Sequence, residues 1–421
     1  ANVAHERSCR HRIPAPSSIR IATTGVSRNM KIKSVRAVEI DVRPPMKTTP
    51  RVPQLPGDGF VSPMRRYPEL TRDDWSATWK RTACVVTAED GTWGFGMTLH
   101  SGPTVSIIND HLSQVVEGGN VMATERLWDL MQRASAPYSS AGLASFAISA
   151  VDQALWDLKG KILGLPVYEL LGGPQKEKVF VYASNTDISY GTEHSIDWFL
   201  ELGFKAVKLF QRAGPEDGLD GIKKTEELVA ATREQVGDEV EIALDAWMSF
   251  NTDYAVRIAE ALRPYRIKWL EDYLIPEDMD SYFRVRERIP FQTLATGEHW
   301  YSIHPFALAA THGLVDIFQP DLSWVGGITA AVKICHLAEA HGITVIPHAS
   351  SSYPWGQHLA MAMPAVMWAE KSEGVAPPGV PLEEMVLLPG TAVIKDGYVT
   401  PSDAPGLGLE INLEWLEERT T

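Results

Sequence analysis

The stretch EIALDAWMSFNTDYAVRIAEALRPYRIKWLED, residues 241–272, decides the fold. It holds two short apolar strands, EIALDA and IKWLED, with a helical segment between them. Each strand closes on an acid, Asp245 in the first and Glu271 in the second. The same unit recurs on both sides: VFVYAS at 179–184, AVKLF at 206–210, TLATGE at 293–298, DIFQPD at 316–321, TVIPHA at 344–349 and AVMWAE at 365–370. Eight such strands, most followed by an amphipathic helix, predict a closed β/α barrel.

What the strands carry at their ends predicts chemistry. From the third strand to the eighth they end in Asp245, Glu271, Glu298, Asp321, His348 and Glu370, at intervals of 22 to 27 residues. This near-constant interval puts six polar groups on one rim of the barrel, the C-terminal rim where barrel active sites lie. Three neighbouring carboxylates repel one another unless a cation joins them. A hard divalent ion with oxygen ligands fits, so Asp245, Glu271 and Glu298 are expected to bind Mg²⁺. The bland alternative is a set of unconnected surface acids. Asp321 precedes His348 by one strand and is placed to accept its Nδ1–H, which would make His348 a general base. Lys208, on the second strand, points to the same mouth and can stabilise negative charge there.

Outside the barrel the pattern is antiparallel and helical. IKSVRAVEI and TACVVTAEDGTWGFGMT read as strands, the second a hairpin turning at Glu89-Asp90-Gly91. Between them residues 44–72 form a long loop rich in proline and arginine, of a length that is usually functional or disordered. Helical periodicity runs from 104 to 164 and puts Ile148, Val151, Leu155, Leu158 and Ile162 on one face. Residues 1–29 carry five arginines against the single acid Glu6, and are expected to be an upstream extension or a targeting leader. Residues 30–164 are expected to form a capping domain, 165–385 the barrel, and 386–421 a segment returning to the cap.

A formal charge of −14 argues against nucleic acid or an anionic membrane as partner. The cysteines Cys9, Cys84 and Cys335 are far apart and odd in number, which fits a reducing cytoplasm.

The ordered Asp245, Glu271, Glu298, Asp321, His348 and Glu370, with AISAVDQALWDLKGKILGLPVYELLGG at 147–173, resemble the enolase superfamily in its mandelate racemase-like subgroup. The resemblance covers residues 30–421. Within the subgroup, GFKAVKLFQRAGPEDG, GEHW, QPDLSWVGG and VIPHASSSY are similar to the L-rhamnonate dehydratases. It implies a modified (β/α)7β TIM-type barrel under an α+β capping domain. It also implies a homo-oligomer, an octamer as in relatives, and Mg²⁺-dependent dehydration of an aldonate. L-rhamnonate is the first expectation, with L-lyxonate and L-mannonate as alternatives. His348 would remove the C2 proton, Lys208 and Glu370 would hold the substrate carboxylate, and the 3-hydroxyl would leave. Arg65, Arg66 and Tyr67, in a stretch similar to the family's mobile loop, and His100 are expected to read the distal hydroxyls, and His299, next to a metal ligand, either to touch substrate or to support that ligand. Many subgroup members carry a second lysine on the second barrel strand, where this chain has Phe210. Its loss favours dehydration over a two-base racemisation. Trp300 stands where the dehydratases have a second histidine, and residues 44–62 match them poorly.

Overall fold

The computed structural model describes residues 29–43, 61–186, 188–373, 375 and 377–421. The expectations for residues 1–28, and for the loop over 44–60, fall outside the described residues. Three strands, β1 (Ile32–Ile40), β2 (Arg81–Ala88) and β3 (Trp93–Leu99), form an antiparallel sheet in the order β1-β2-β3. The hairpin turns at 89–91, with Gly91 at φ +89°. Against this sheet lies the helix Leu143–Leu163.

That helix is buried almost all round rather than on one face. Ile148, Val151, Leu155 and Leu158 are inaccessible to solvent and Ile162 sits at the margin, but Ser145, Ser149, Asp152, Gln153 and Asp157 are inaccessible too. The reason is position: the helix is sandwiched between β3 and the barrel helix Gly327–Ala340. Its polar residues therefore bond to both neighbours instead of to water. Glycines make the sandwich thin. A Cβ on Gly94 would meet the Ala154 carbonyl oxygen at 2.1 Å, and one on Gly96 the Ala150 carbonyl oxygen at 2.0 Å.

The barrel strands are β4 (Val179–Ser184), β5 (Ala206–Phe210), β6 (Glu241–Asp245), β7 (Leu270–Glu271), β8 (Leu294–Thr296), β9 (Ile317–Phe318), β10 (Thr344–Val345) and β11 (Trp368–Lys371). They pair in parallel from β4 to β10, and β11 pairs with β4. A bridge from Val345 to Val366 closes the ring. Helices follow the first seven strands, so this is the (β/α)7β barrel with its antiparallel capping sheet. A twelfth strand, β12 (Tyr398–Val399), pairs with the start of β4. The last residues return to the cap: the Thr421 N–H donates to the Glu39 carbonyl at 3.2 Å, and Trp415 packs edge-on against Phe95.

Two details depart from the sequence reading. Several barrel strands are shorter than expected, because Glu298, Asp321 and His348 lie two or three residues past the last paired position. Residues 63–75 are also not structureless. Ser62 caps a 3-10 turn at Pro63–Arg66, and a capping box between Thr71 and Asp74 starts a helical turn at Arg72–Trp75. Among the described residues no helix is long and apolar enough to cross a membrane, and Cys84 and Cys335 are buried free thiols.

Gly96→Ala would force the helix off β3, an overpacking that costs about 1–3 kcal/mol. A clear drop in the thermal midpoint is expected. An unchanged midpoint would contradict the close approach.

Candidate active site at the barrel mouth

The barrel interior is plugged below the site by Tyr182, Trp269, Phe180 and Trp368. Apolar filling there leaves charged side chains only the mouth. Parallel register sets Asp245 beside Glu271, and Phe210 beside Asp245. Lys208, inaccessible to solvent, sits among the acids. Its Nζ is 3.1 Å from Asp245 Oδ2 and 2.9 Å from Glu370 Oε1, and it also donates to Glu271. Glu271 accepts further bonds from Trp269 Nε1 at 2.7 Å and Gln319 Nε2 at 2.8 Å. Glu370 accepts from Ser184 and from the Ala349 N–H.

One lysine does not balance these acids. One oxygen each of Asp245, Glu271 and Glu298 lie within 4.8 Å of one another. Burial, joined by mutual repulsion and opposed by Lys208, pushes Glu271 up to about 8 and Asp245 up to about 6. Burial likewise pushes Glu298 up to about 7 against the pull of His348 and His299. Glu298 Oε2 is buried without a hydrogen-bond partner. An orphaned carboxylate oxygen inside a crowded acid set is the donor pattern a hard divalent cation completes. The residues therefore fit such an ion. By contrast, burial of Glu370 is outweighed by Lys208 and His348, which hold it at about 2.

The histidine of the seventh barrel strand and the acid of the sixth meet at the rim. His348 Nδ1 is 2.6 Å from Asp321 Oδ2, and its Nε2 is 3.4 Å from Glu298 Oε2. Burial alone would lower the His348 pKa, but Glu298, Glu370 and Asp321 hold it well above its ordinary value. A second pair was not anticipated. His299 Nδ1 is 2.9 Å from Asp272 Oδ2, and Thr296 Oγ1 donates to the other Asp272 oxygen at 3.1 Å. Burial opposes ionisation of His299, yet Asp272 and Glu298 push it up to about 9. The signal was present in the sequence: Asp272 and His299 directly follow two of the rim acids. Backbone strain collects here, with Trp247, Met248, Asp272 and Ala349 all at φ between +42° and +62°.

A cavity of about 880 Å³ lies between these groups and the cap. Asp245, Glu298, His299 and His348 open onto it, as do Trp247 and Trp324. Lys208 and Glu370 do not line it and are paired with each other at 2.9 Å. Arg65 and Arg66 are also elsewhere. Arg65 makes a two-point ion pair with Asp217, at 2.7 and 3.0 Å, and exposed Arg66 lies 3.6 Å from Glu216. Tyr67 is exposed. Arg72 does reach the cavity, stacked 5.0 Å over the Trp247 ring, and Arg43 and Arg81 line it too. The only cue to Arg72 in the sequence was its place in a charged loop. His100 lines the cavity as well, and burial lowers its pKa. Trp300 is packed in the core.

Fold and site together define a capped (β/α)7β-barrel enzyme whose acids, lysine and histidines meet on the C-terminal rim. Residues 193–415 match the enolase C-terminal domain-like family, and residues 76–172 match the N-terminal domain of mandelate racemase and muconate lactonizing enzyme. The chain belongs to this mandelate racemase-like branch of the enolase superfamily. It is 38% identical over 365 residues to an L-rhamnonate dehydratase of Saccharopolyspora erythraea, covering 85% of this chain and 90% of that one. The crystal structure of rhamnonate dehydratase from Gibberella zeae complexed with Mg superposes with a TM-score of 0.83 at 29% identity, over 93% of this chain and 96% of that one. A racemase from Streptomyces coelicolor A3(2) with bound magnesium gives a TM-score of 0.75 at 26% identity, over 93% and 100%.

The charge imbalance yields a pH prediction. Asp245, Glu271 and Glu298 keep protons in the folded state at pH values where the unfolded chain, with carboxyl pKa values of about 4, has released them. In EDTA, stability should therefore fall as pH rises from about 4 towards about 8. The raised histidines act in the same direction, and Glu370 acts only below about pH 4.5. Urea midpoints in EDTA should be higher at about pH 5.5 than at about pH 8, with added divalent cation restoring stability mainly at the higher pH. A midpoint that rises with pH in EDTA would contradict this account.

Proposed function

We propose that this chain dehydrates a sugar acid, an aldonate with L-rhamnonate as first choice, to a 2-keto-3-deoxy acid. The observation that carries the reading is the His348–Asp321 pair, placed against Glu298 and open to a cavity sized for a small ligand. Mg²⁺, held by Asp245, Glu271 and Glu298, would supply the positive charge that makes a proton next to a carboxylate removable. Lys208 holds two members of that set, Asp245 and Glu271, beside Glu370.

His348 takes the C2 proton on Nε2 while Asp321 holds Nδ1–H and stabilises the imidazolium. The electron pair left on C2 forms the double bond to C3, and the C3–O bond breaks. His348 returns its proton to the departing hydroxyl, which leaves as water from the same face. The enol then tautomerises to the keto acid. Arg72, fixed on Trp247, is assigned to the distal hydroxyls, and Phe210 on the cavity wall can carry no proton.

The Asp272–His299 pair sustains one second reading, proton transfer at C2 without elimination, with His299 as the other acid–base group. Incubation in D₂O separates the two. Dehydration gives ketoacid; epimerisation gives deuterium at C2 with every hydroxyl retained.

A panel of aldonates with Mg²⁺, followed by semicarbazone absorbance, is the direct test. Ketoacid should form from one or a few of them, and be abolished by EDTA and by His348→Asn. Arg72→Ala should raise KM by about ten-fold or more, the loss of about 1.4 kcal/mol of binding or greater, with a smaller change in kcat. No ketoacid from any aldonate would sink the dehydratase reading.

A further inference from the structure

Asp321 orients His348, and something must orient Asp321. Its Oδ2 accepts from His348 Nδ1, and its Oδ1 accepts from the Ser323 N–H at 2.6 Å. The Ser323 carbonyl in turn accepts from Thr98 Oγ1 at 2.6 Å, and Thr98 lies on β3 of the capping sheet. The neighbouring carbonyls are held in the same way. Gln153 Nε2 donates to Leu322 O at 3.0 Å, and Ser145 Oγ donates to Trp324 O. Gln153 is itself fixed, since its Oε1 accepts from the Met97 N–H at 2.9 Å. Thr98, Ser145 and Gln153 are all buried.

Further along, Trp128 Nε1 donates to Gly326 O at 2.8 Å, while Ser149 accepts from the Gly326 N–H at 2.8 Å. Gly326 and Gly327 sit at φ +109° and +87°, and a Cβ on Gly327 would meet Asp152 Oδ2 at 2.4 Å. The loop from Asp321 to the next helix is therefore moulded onto the cap. The other histidine pair is tied differently: Asp272 takes its second bond from Thr296 of the barrel itself.

We infer that Thr98 and Gln153 of the capping segment are positioning residues for the Asp321–His348 pair, so that the cap sets the geometry of the base as well as roofing the cavity. The inference rests on reading His348 as the base. An imidazole displaced by a fraction of an ångström still binds substrate but transfers its proton poorly.

The test compares Thr98→Val, which keeps shape and removes the hydroxyl, with Thr98→Ser, which keeps the hydroxyl. Gln153→Met is added, and Asp157→Asn serves as control. Asp157 lies on the same helix but holds the Phe95 and Leu407 N–H groups, away from the loop. Thr98→Val and Gln153→Met should lower kcat about ten-fold and leave KM nearly unchanged. Thr98→Ser should recover most of the loss, and Asp157→Asn should lower stability with kcat intact.

NMR of the substrate-free protein with isotope-labelled histidine gives an independent reading. The downfield Nδ1 proton of His348, assigned by its loss in His348→Asn, should shift or broaden in Thr98→Val and Gln153→Met but not in Asp157→Asn. If that resonance and kcat stay at the wild-type level while stability falls as in the control, the inference is overturned. If Gln153→Met does not fold, Ser145→Ala, which removes one bond to the same loop, takes its place. Should no aldonate be turned over by the wild type, the proposed reaction fails, and the NMR comparison still decides whether the cap holds the pair.

Discussion

Everything at the barrel mouth is arranged around the ammonium of Lys208. Burying carboxylates is expensive, and it is tolerable only when each one is paired or hydrogen-bonded. Lys208 meets three acids at once; Trp269, Gln319 and the Ala349 N–H take up oxygens the lysine does not reach, and Ser184 shares the Glu370 oxygen with it. The group left over is Glu298, with one oxygen orphaned and its charge met mainly by the two histidines, with Lys208 acting more weakly. The protein thus neutralises most of the cluster itself and leaves a deficit at one defined place. A cation bound there would complete the electrostatics rather than perturb them.

This arrangement explains what the sequence disclosed and what it withheld. The acids were legible because each must end a strand of a period fixed by the β/α unit, so 22 to 27 residues of spacing maps directly onto position around a ring. His348 and Asp321 were legible for the same reason. Lys208 was legible as a site residue, yet its partners were not. A strand position states height and direction, but whether a side chain points to a ligand or to its neighbours depends on which charges are nearest. Arg65 and Arg66 were misleading for a related reason. Loop residues lack a period, and an acid at Asp217, far along the chain, captured the arginine that the sequence offered to the substrate. Arg72 reached the cavity because the Thr71–Asp74 capping box turns the chain there.

The helix Leu143–Leu163 shows a second limit of pattern reading. Its apolar period sets all five residues against the core, Ile162 only partly buried, but it is a helix with two buried sides. The polar residues between the apolar ones are bonded across to β3, to the loop after β9 and to the helix Gly327–Ala340. Periodicity detects where water is absent on one side. It does not detect water replaced by carbonyl groups on the other.

Superposition on a rhamnonate dehydratase and on a racemase with similar scores shows that the frame does not select the reaction. Selection has to lie in how many groups can carry a proton at the reacting carbon. Phe210, on the cavity wall, presents a ring that can carry none. At His299 this chain has a second imidazole held by its own carboxylate. The two pairs differ in how they are anchored, His348 through a loop gripped by the cap and His299 through Thr296 within the barrel. The cap therefore reaches the carboxylate of the first pair through a run of hydrogen bonds, whereas it meets the second through the rings of Trp247 and Trp324 that flank His299.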